Sequence, residues 1–390
     1  MNYSTLLLCA ALLTGCTSTA QAPVKSEASS APAVLALIDS SQFGPRPVMQ
    51  EEPDLFQLPL AEQQRFLNFF NAPENRQLPA HRRLYHYLEQ SMDNFTYYGA
   101  TYTASQVVEQ GAGNCLSLAI LTTAYANLAG IEVEYLGVTT NPVYLKREKF
   151  GLISNHVRTR LYDPAFKPEE GVLYARRPSV VVDYFPTANN WQKGAVSHSA
   201  FMGMYYRNLA AEALTSNQLG QAGWLVSTAL KWDPGSGDNI NLLAVIYRNM
   251  ALPELSERSY RLGLDAEPDH LDLLSNYRLL LRLQGREEEA EQLTRRIERS
   301  TDPSPFRWLS LGDQSFESGD YQRALRYYDT AMERAPYLHH GYAGRGKALF
   351  KLGRKEEAKQ ALALALQHTH EDEQEDLYRA KLAILADSER

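Results

Sequence analysis

Pro234, Pro268 and Pro336 stand 34 or twice 34 residues apart, and Pro303 falls one residue off the same frame. A period this long exceeds any helix turn or strand alternation, so it marks a repeated supersecondary unit. The frame is fullest in residues 305–338, with Trp308, Leu311, Gly312, Ala324, Tyr328, Ala331 and Pro336. The next window keeps Tyr342, Gly346, Ala358, Leu362 and Ala365. Earlier windows keep Ala210, Ala222, Ala229 and Pro234, then Ala244, Tyr247, Tyr260, Gly263 and Pro268. The window from 271 is degenerate and retains mainly Ala290. Small residues recurring this way let two antiparallel helices approach closely, and each proline ends a helix.

Residues 203–372 therefore resemble about five tetratricopeptide repeats, and "EDLYRAKLAILAD" within 373–390 reads as a capping helix. The resemblance implies an all-α superhelix whose groove holds a peptide or protein.

The N-terminus reads as a targeting segment. Leu6 to Leu13 form an apolar run too short to span a bilayer. The run closes on Leu13-Thr14-Gly15-Cys16, which resembles a bacterial lipobox. That resemblance implies a signal over 1–16, lipidation of Cys16, and, with Thr17 rather than aspartate next, an outer-membrane anchor facing the periplasm. Residues 17–50 are rich in Ala, Ser, Pro and Gln and read as a flexible tether, although "AVLALID" could add a strand or short helix. The 39 basic and 46 acidic residues form no basic stripe, which argues against a nucleic-acid partner.

Residues 51–200 mix the two periodicities, helices first and strands afterwards, as in an α+β domain. "CLSLAILTTAYANLAG" has Leu116, Ile120, Thr123 and Asn127/Leu128 on one helical face and Gly130 as a stop. "IEVEYLGV", "HVRTRLY" and "SVVVDYF" read as strands. Cys9 would leave with the signal and Cys16 would carry lipid, so Cys115 is the remaining thiol. It stands at the expected first turn of a helix, where unpaired N–H groups and the helix dipole favour thiolate. Gly111 and Gly113 allow a tight turn and leave the sulfur open to approach. A nucleophilic thiol needs a base and a group that orients the base. Among the acids, Asp163 lies seven residues beyond His156, roughly 20 Å along a strand and at an odd offset. Asp183, on a returning strand, can lie beside His156. Arg158 and Arg160 share a strand face with His156 and read as solvated or as lining an approach for acidic groups.

"GNCLSLAILTTAYANLAGIEVEYLGV", "NHVRTRLYD" and "VVVDYF" together resemble the transglutaminase-like (papain-related) cysteine superfamily. The resemblance covers about 80–190 and implies a catalytic Cys115, His156 and Asp183. By analogy Gln110 would be an oxyanion donor. No metal set and no cofactor motif stands out: His81/His86, His339/His340 and His368/His370 lack suitable partners. The leading expectation is an envelope lipoprotein acting as a peptidase or amidase, its repeats binding protein. The alternatives are a non-catalytic tetratricopeptide scaffold with a degenerate transglutaminase-like domain, and an amine-transferring transglutaminase.

Overall fold

The computed structural model describes residues 31–92, 95–96, 100–139, 145–147, 150–152, 156–168, 176–184, 191–300, 305–369 and 372–387. The expected leader, with Cys16, lies outside the described residues. Helices α1 (Ala31–Leu35), α2 (Glu52–Leu55), α3 (Leu60–Asn71), α4 (Ala80–Ser91), α5 (Ala104–Gln110) and α6 (Cys115–Ala129) come first. Strands β1 (Val133–Thr139), β2 (Leu145–Arg147), β3 (Phe150–Leu152), β4 (His156–Tyr162), β5 (Ser179–Val182) and β6 (Trp191–Val196) follow. The order is the helices-then-strands pattern of an α+β unit. Four strands form one antiparallel sheet in the order β5-β4-β1-β6, and β2 and β3 pair as a hairpin.

Helix α6 is the centre of this unit. Asn114 caps it by accepting the Ser117 N–H, and left-handed Gly130 ends it. The expected single apolar face is corrected: every residue from Cys115 to Ala126 is buried. A run this rich in small and apolar residues has no polar side to offer water, so neighbours cover it all round. On one side, Val157, Thr159 and Leu161 of β4 are completely buried. Among the α3, α4 and α6 side chains, Glu62 Oε1 accepts from both Tyr87 Oη and Tyr125 Oη at 2.7 Å. Tyr184 Oη donates to Thr122 Oγ1 at 2.7 Å and contacts Thr159 Oγ1, fixing the far end of the sheet to the helix.

One strand expectation needs correction, and β6 carries no strand signal in the sequence. The valine run of "SVVVDYF" suits a buried strand, but β5 is the sheet edge, stops at Val182 and leaves Val181 36% exposed. A run of valines does not distinguish an edge from a centre. Strand β6 carries no alternation: Gly194 has φ +134° and the β1–β6 register shifts between Gly137 and Val138. A bulge of that kind hides the period of two.

The rest of the chain is a row of helical hairpins: α7 (His198–Thr215) with α8 (Leu219–Trp232), α9 (Gly237–Asn249) with α10 (Pro253–Ala266), α11 (Leu271–Leu283) with α12 (Glu287–Glu298), α13 (Pro305–Glu317) with α14 (Tyr321–Arg334), and α15 (His339–Lys351) with α16 (Lys355–His368). Helix α17 (Asp372–Asp387) packs last, on α16. The turn inside each hairpin needs one left-handed residue, and these too keep the 34-residue frame: Asn217, Ala251, Gly285, Gly319 and Gly353. Close approach sets the small positions. A Cβ on Gly312 would sit 2.6 Å from the Tyr328 ring and one on Gly344 would sit 2.3 Å from it. Tyr328, 1% exposed, thus wedges between two consecutive hairpins. Helix α7 also walls the α+β unit, for Phe201 lies parallel to Tyr135 with ring centroids 3.7 Å apart.

The tether drawn to residue 50 is corrected over its second half. Residues 31–50 lie on the repeats, with Val34, Leu37 and Phe43 buried. Phe43 stacks on Tyr247 and meets Trp224 edge-on, each at 5.9 Å. Tyr247 Oη donates to the Leu37 carbonyl at 2.9 Å and accepts the Asp39 N–H at 2.8 Å. The seat is made by Gly220 and Gly223, whose Cβ atoms would fall 2.4 Å from the Phe43 carbonyl oxygen and 2.3 Å from its ring. Residues 17–50 hold too few large apolar residues for a core of their own. Three suffice because the repeats supply the other side of it.

Candidate functional site

Cys115 is the first residue of α6, preceded by a built turn. Thr103 and Gln106 form a reciprocal cap on α5, and Gly111 ends that helix at φ +58°. The chain then bridges to Thr96, whose N–H donates to the Gly111 carbonyl at 2.9 Å and whose carbonyl accepts the Gly113 N–H at 3.1 Å. Gly113 was expected to leave the sulfur open. Its role is packing: a Cβ there would sit 2.8 Å from Ser117 Cβ. Asn114 donates to Thr101 Oγ1 at 2.8 Å, and Thr101 in turn donates to Glu212 of α7, so the turn is anchored to the first repeat helix.

The expected thiolate is corrected as well. Cys115 is 8% exposed, and burial pushes its thiol up from the ordinary value. Backbone N–H groups of Val157, Leu116 and Cys115 itself act in the opposite direction, with smaller effect. Helix-start N–H groups do reach the sulfur as the sequence suggested, but losing water costs the charged form more.

The sulfur's neighbour Val157 follows His156, so the thiol faces the peptide that leaves His156. His156 opens β4 opposite Val138. Its side chain lies outside the described residues. Asp183 directly follows β5, and Arg158 Nη2 meets its Oδ2 at 2.5 Å. Arg160 Nη1 is 2.6 Å from Glu134 Oε2. Both arginines are thus ion-paired and mostly buried rather than solvated, with side chains 17% and 19% exposed. Asp163, the rejected acid, begins a turn by accepting the Ala165 N–H at 3.0 Å and lies 3.8 Å from buried His81. Gln110 ends α5 and is exposed.

Two cavities lie away from this thiol. One, about 550 Å³, is lined by Glu52, Phe56, Asn127, Glu134, Tyr162 and His198. Asn127 is near the other end of α6, twelve residues or roughly 18 Å from Cys115 at helical rise. The other cavity, about 680 Å³, opens between α1 and α10 with Leu37, Glu254, Glu257, Arg261, Asp265 and Arg286 in its wall.

Residues 315–382 match the tetratricopeptide repeat family. No curated protein matches the chain. Among solved structures, Pseudomonas aeruginosa pilF is similar at 24% identity, covering 49% of this chain and 87% of that one with a TM-score of 0.42. PilW, a type IV pilus biogenesis factor, is similar at 20% identity, with 46% and 91% covered and a TM-score of 0.36. YrrB, described as a TPR protein with an unusual peptide-binding site, gives 17% identity, 46% and 92% coverage, and a TM-score of 0.34. The C-terminal part of the chain carries tetratricopeptide repeats.

Proposed function

We propose that this chain is a polypeptide-binding scaffold of the bacterial envelope, with the repeats as its working surface and the α+β unit as their base. The repeats carry the reading. Their first helices stack side by side, tied by Asn276 Nδ2 to Asn241 Oδ1 at 3.0 Å and by Arg307 to Asp272 at 3.2 Å. On α11 of this face Leu283 remains 69% exposed, an apolar side chain open to a partner. The Leu13–Cys16 motif supports an anchor lipid on Cys16, which would make the partner another envelope protein.

The test is a photo-crosslinking side chain at Leu283 of the full chain in cells, with exposed Glu288 of α12 as control. Discrete protein adducts in the membrane fraction from position 283, absent from position 288, are expected. Identical patterns from both positions, or none, would overturn the reading.

One observation favours a second reading, thiol acyl transfer: Cys115 opens a helix against the peptide that follows His156, one strand from Asp183. In that chemistry Cys115 attacks an amide carbonyl, His156 moves the sulfur's proton to the leaving amine, and Asp183 orients the imidazole. Water then releases the acid from the thioester, or an amine accepts the acyl group. The buried sulfur and the hold of Arg158 on Asp183 place this reading second.

A further inference from the structure

The degenerate third repeat departs from the frame at one telling place. Ala210, Ala244, Gly312 and Gly346 mark the position where paired helices approach, and its occupant in the third repeat is Arg278. That arginine is 4% exposed. Its Nη1 donates to Gln314 Oε1, while its Nε is buried with no acceptor. Among the described residues no carboxylate lies within ion-pair distance of it. Arg282 Nη1 donates to the same Gln314 oxygen at 2.8 Å, and Arg307, 9% exposed, lies nearby with Asp272 as its partner. Glu287 sits 3.3 Å from Arg282 Nε, and the more distant Glu291 and Tyr327 oppose the repulsion from Arg282 and Arg307. Two guanidinium groups therefore converge on one neutral amide oxygen. Burial, reinforced by Arg282, lowers Arg278 to about 10, which leaves it charged at neutral pH. A buried charge without a counter-ion disfavours the folded state, and well-packed apolar residues often replace such charges without loss. Residues that break a local rule against stability mark functional positions.

We infer that the step between α11 and α13, at Arg278, Arg282 and Gln314, is a carboxylate-binding site for an acidic residue of the bound polypeptide. The inference rests on the scaffold reading and names its ligand chemistry. A carboxylate there accepts charge-assisted hydrogen bonds from the Arg278 guanidinium, which Gln314 leaves short of a counter-charge, with Arg282 beside it. Half-buried Leu279 and exposed Leu283 on the same helix offer an apolar seat beside it, so an acidic residue flanked by a leucine-like one fits.

The probe is a fluorescein-labelled peptide, Gly-Leu-Glu-Glu-Leu-Gly, against its Gln-for-Glu counterpart, read by anisotropy with the full chain. At least about tenfold preference for the acidic peptide is expected, weakening with salt. Arg278→Met, which keeps bulk and removes charge, should erase the preference without lowering Tm. Gln314→Glu supplies an internal carboxylate, so it should raise Tm and block the acidic peptide. Equal binding of both peptides, binding of neither, or preference retained in both variants would overturn the inference. Crosslinking from Leu283 would still stand or fall by itself, so failure here and failure of the scaffold reading are distinguishable.

Discussion

Replacing Glu62 with alanine is expected to remove about 3–5 kcal/mol of stability, measured by urea unfolding of the full chain. The carboxylate is 4% exposed and its Oε1 accepts hydrogen bonds from two buried phenols, those of Tyr87 on α4 and Tyr125 on α6. Without it, two hydroxyl groups stay buried with no acceptor, and each such loss costs about 1–3 kcal/mol. The Arg65 ion pair on Oε2 adds little, because that arginine's side chain is 70% exposed and screened by water. Glu62→Gln keeps one acceptor oxygen, so a loss less than half as large is expected. Equal losses in the two variants would show that the carboxylate charge, rather than the acceptor geometry, holds α3, α4 and α6 together.

The second large effect is expected in the repeats. Tyr328→Ala should cost about 3–5 kcal/mol, the range for emptying an aromatic site in a core. Its ring fills the space against Gly312 and Gly344, and its hydroxyl donates to Asp313 Oδ1 at 2.7 Å. Repeat arrays derive their cooperativity from contacts between neighbouring units. Calorimetry should therefore show one transition in the native chain and a separate, earlier transition for α15–α17 in the variant. A single transition with unchanged midpoint would mean that this wedge does not couple the hairpins.

The repeat frame was legible because it rests on backbone geometry. Gly312 and Gly346 stand where helices touch, and Pro234 and Pro268 stand where they end. Left-handed residues within the hairpins share the frame, yet Asn217 and Ala251 conceal it among the later glycines. The docking of residues 31–50 was not legible, since Phe43 finds its seat against Gly223, 180 residues away, and composition reports only the local chain. The all-round burial of α6 was missed for a related reason: small residues such as Ala119 and Ala124 read as neutral in an amphipathic pattern but permit close packing on every side. At the thiol, the sequence located Cys115 at a helix start, which is where the structure has it. What it could not weigh was desolvation, which depends on β4 closing over the sulfur. Arg278 reads as degeneracy in the third repeat, although a charged residue at a small, buried position is itself a signal.

Alkylation of Cys115 by iodoacetamide across pH, in the folded chain, separates the scaffold from the enzyme. A scaffold with a buried structural thiol reacts slowly, with an apparent pKa above the ~8.5 of an unperturbed cysteine, and His156→Ala and Asp183→Asn leave the profile unchanged. A fast-reacting thiol titrating well below that value, and shifted by either substitution, would contradict it and return the site to catalysis.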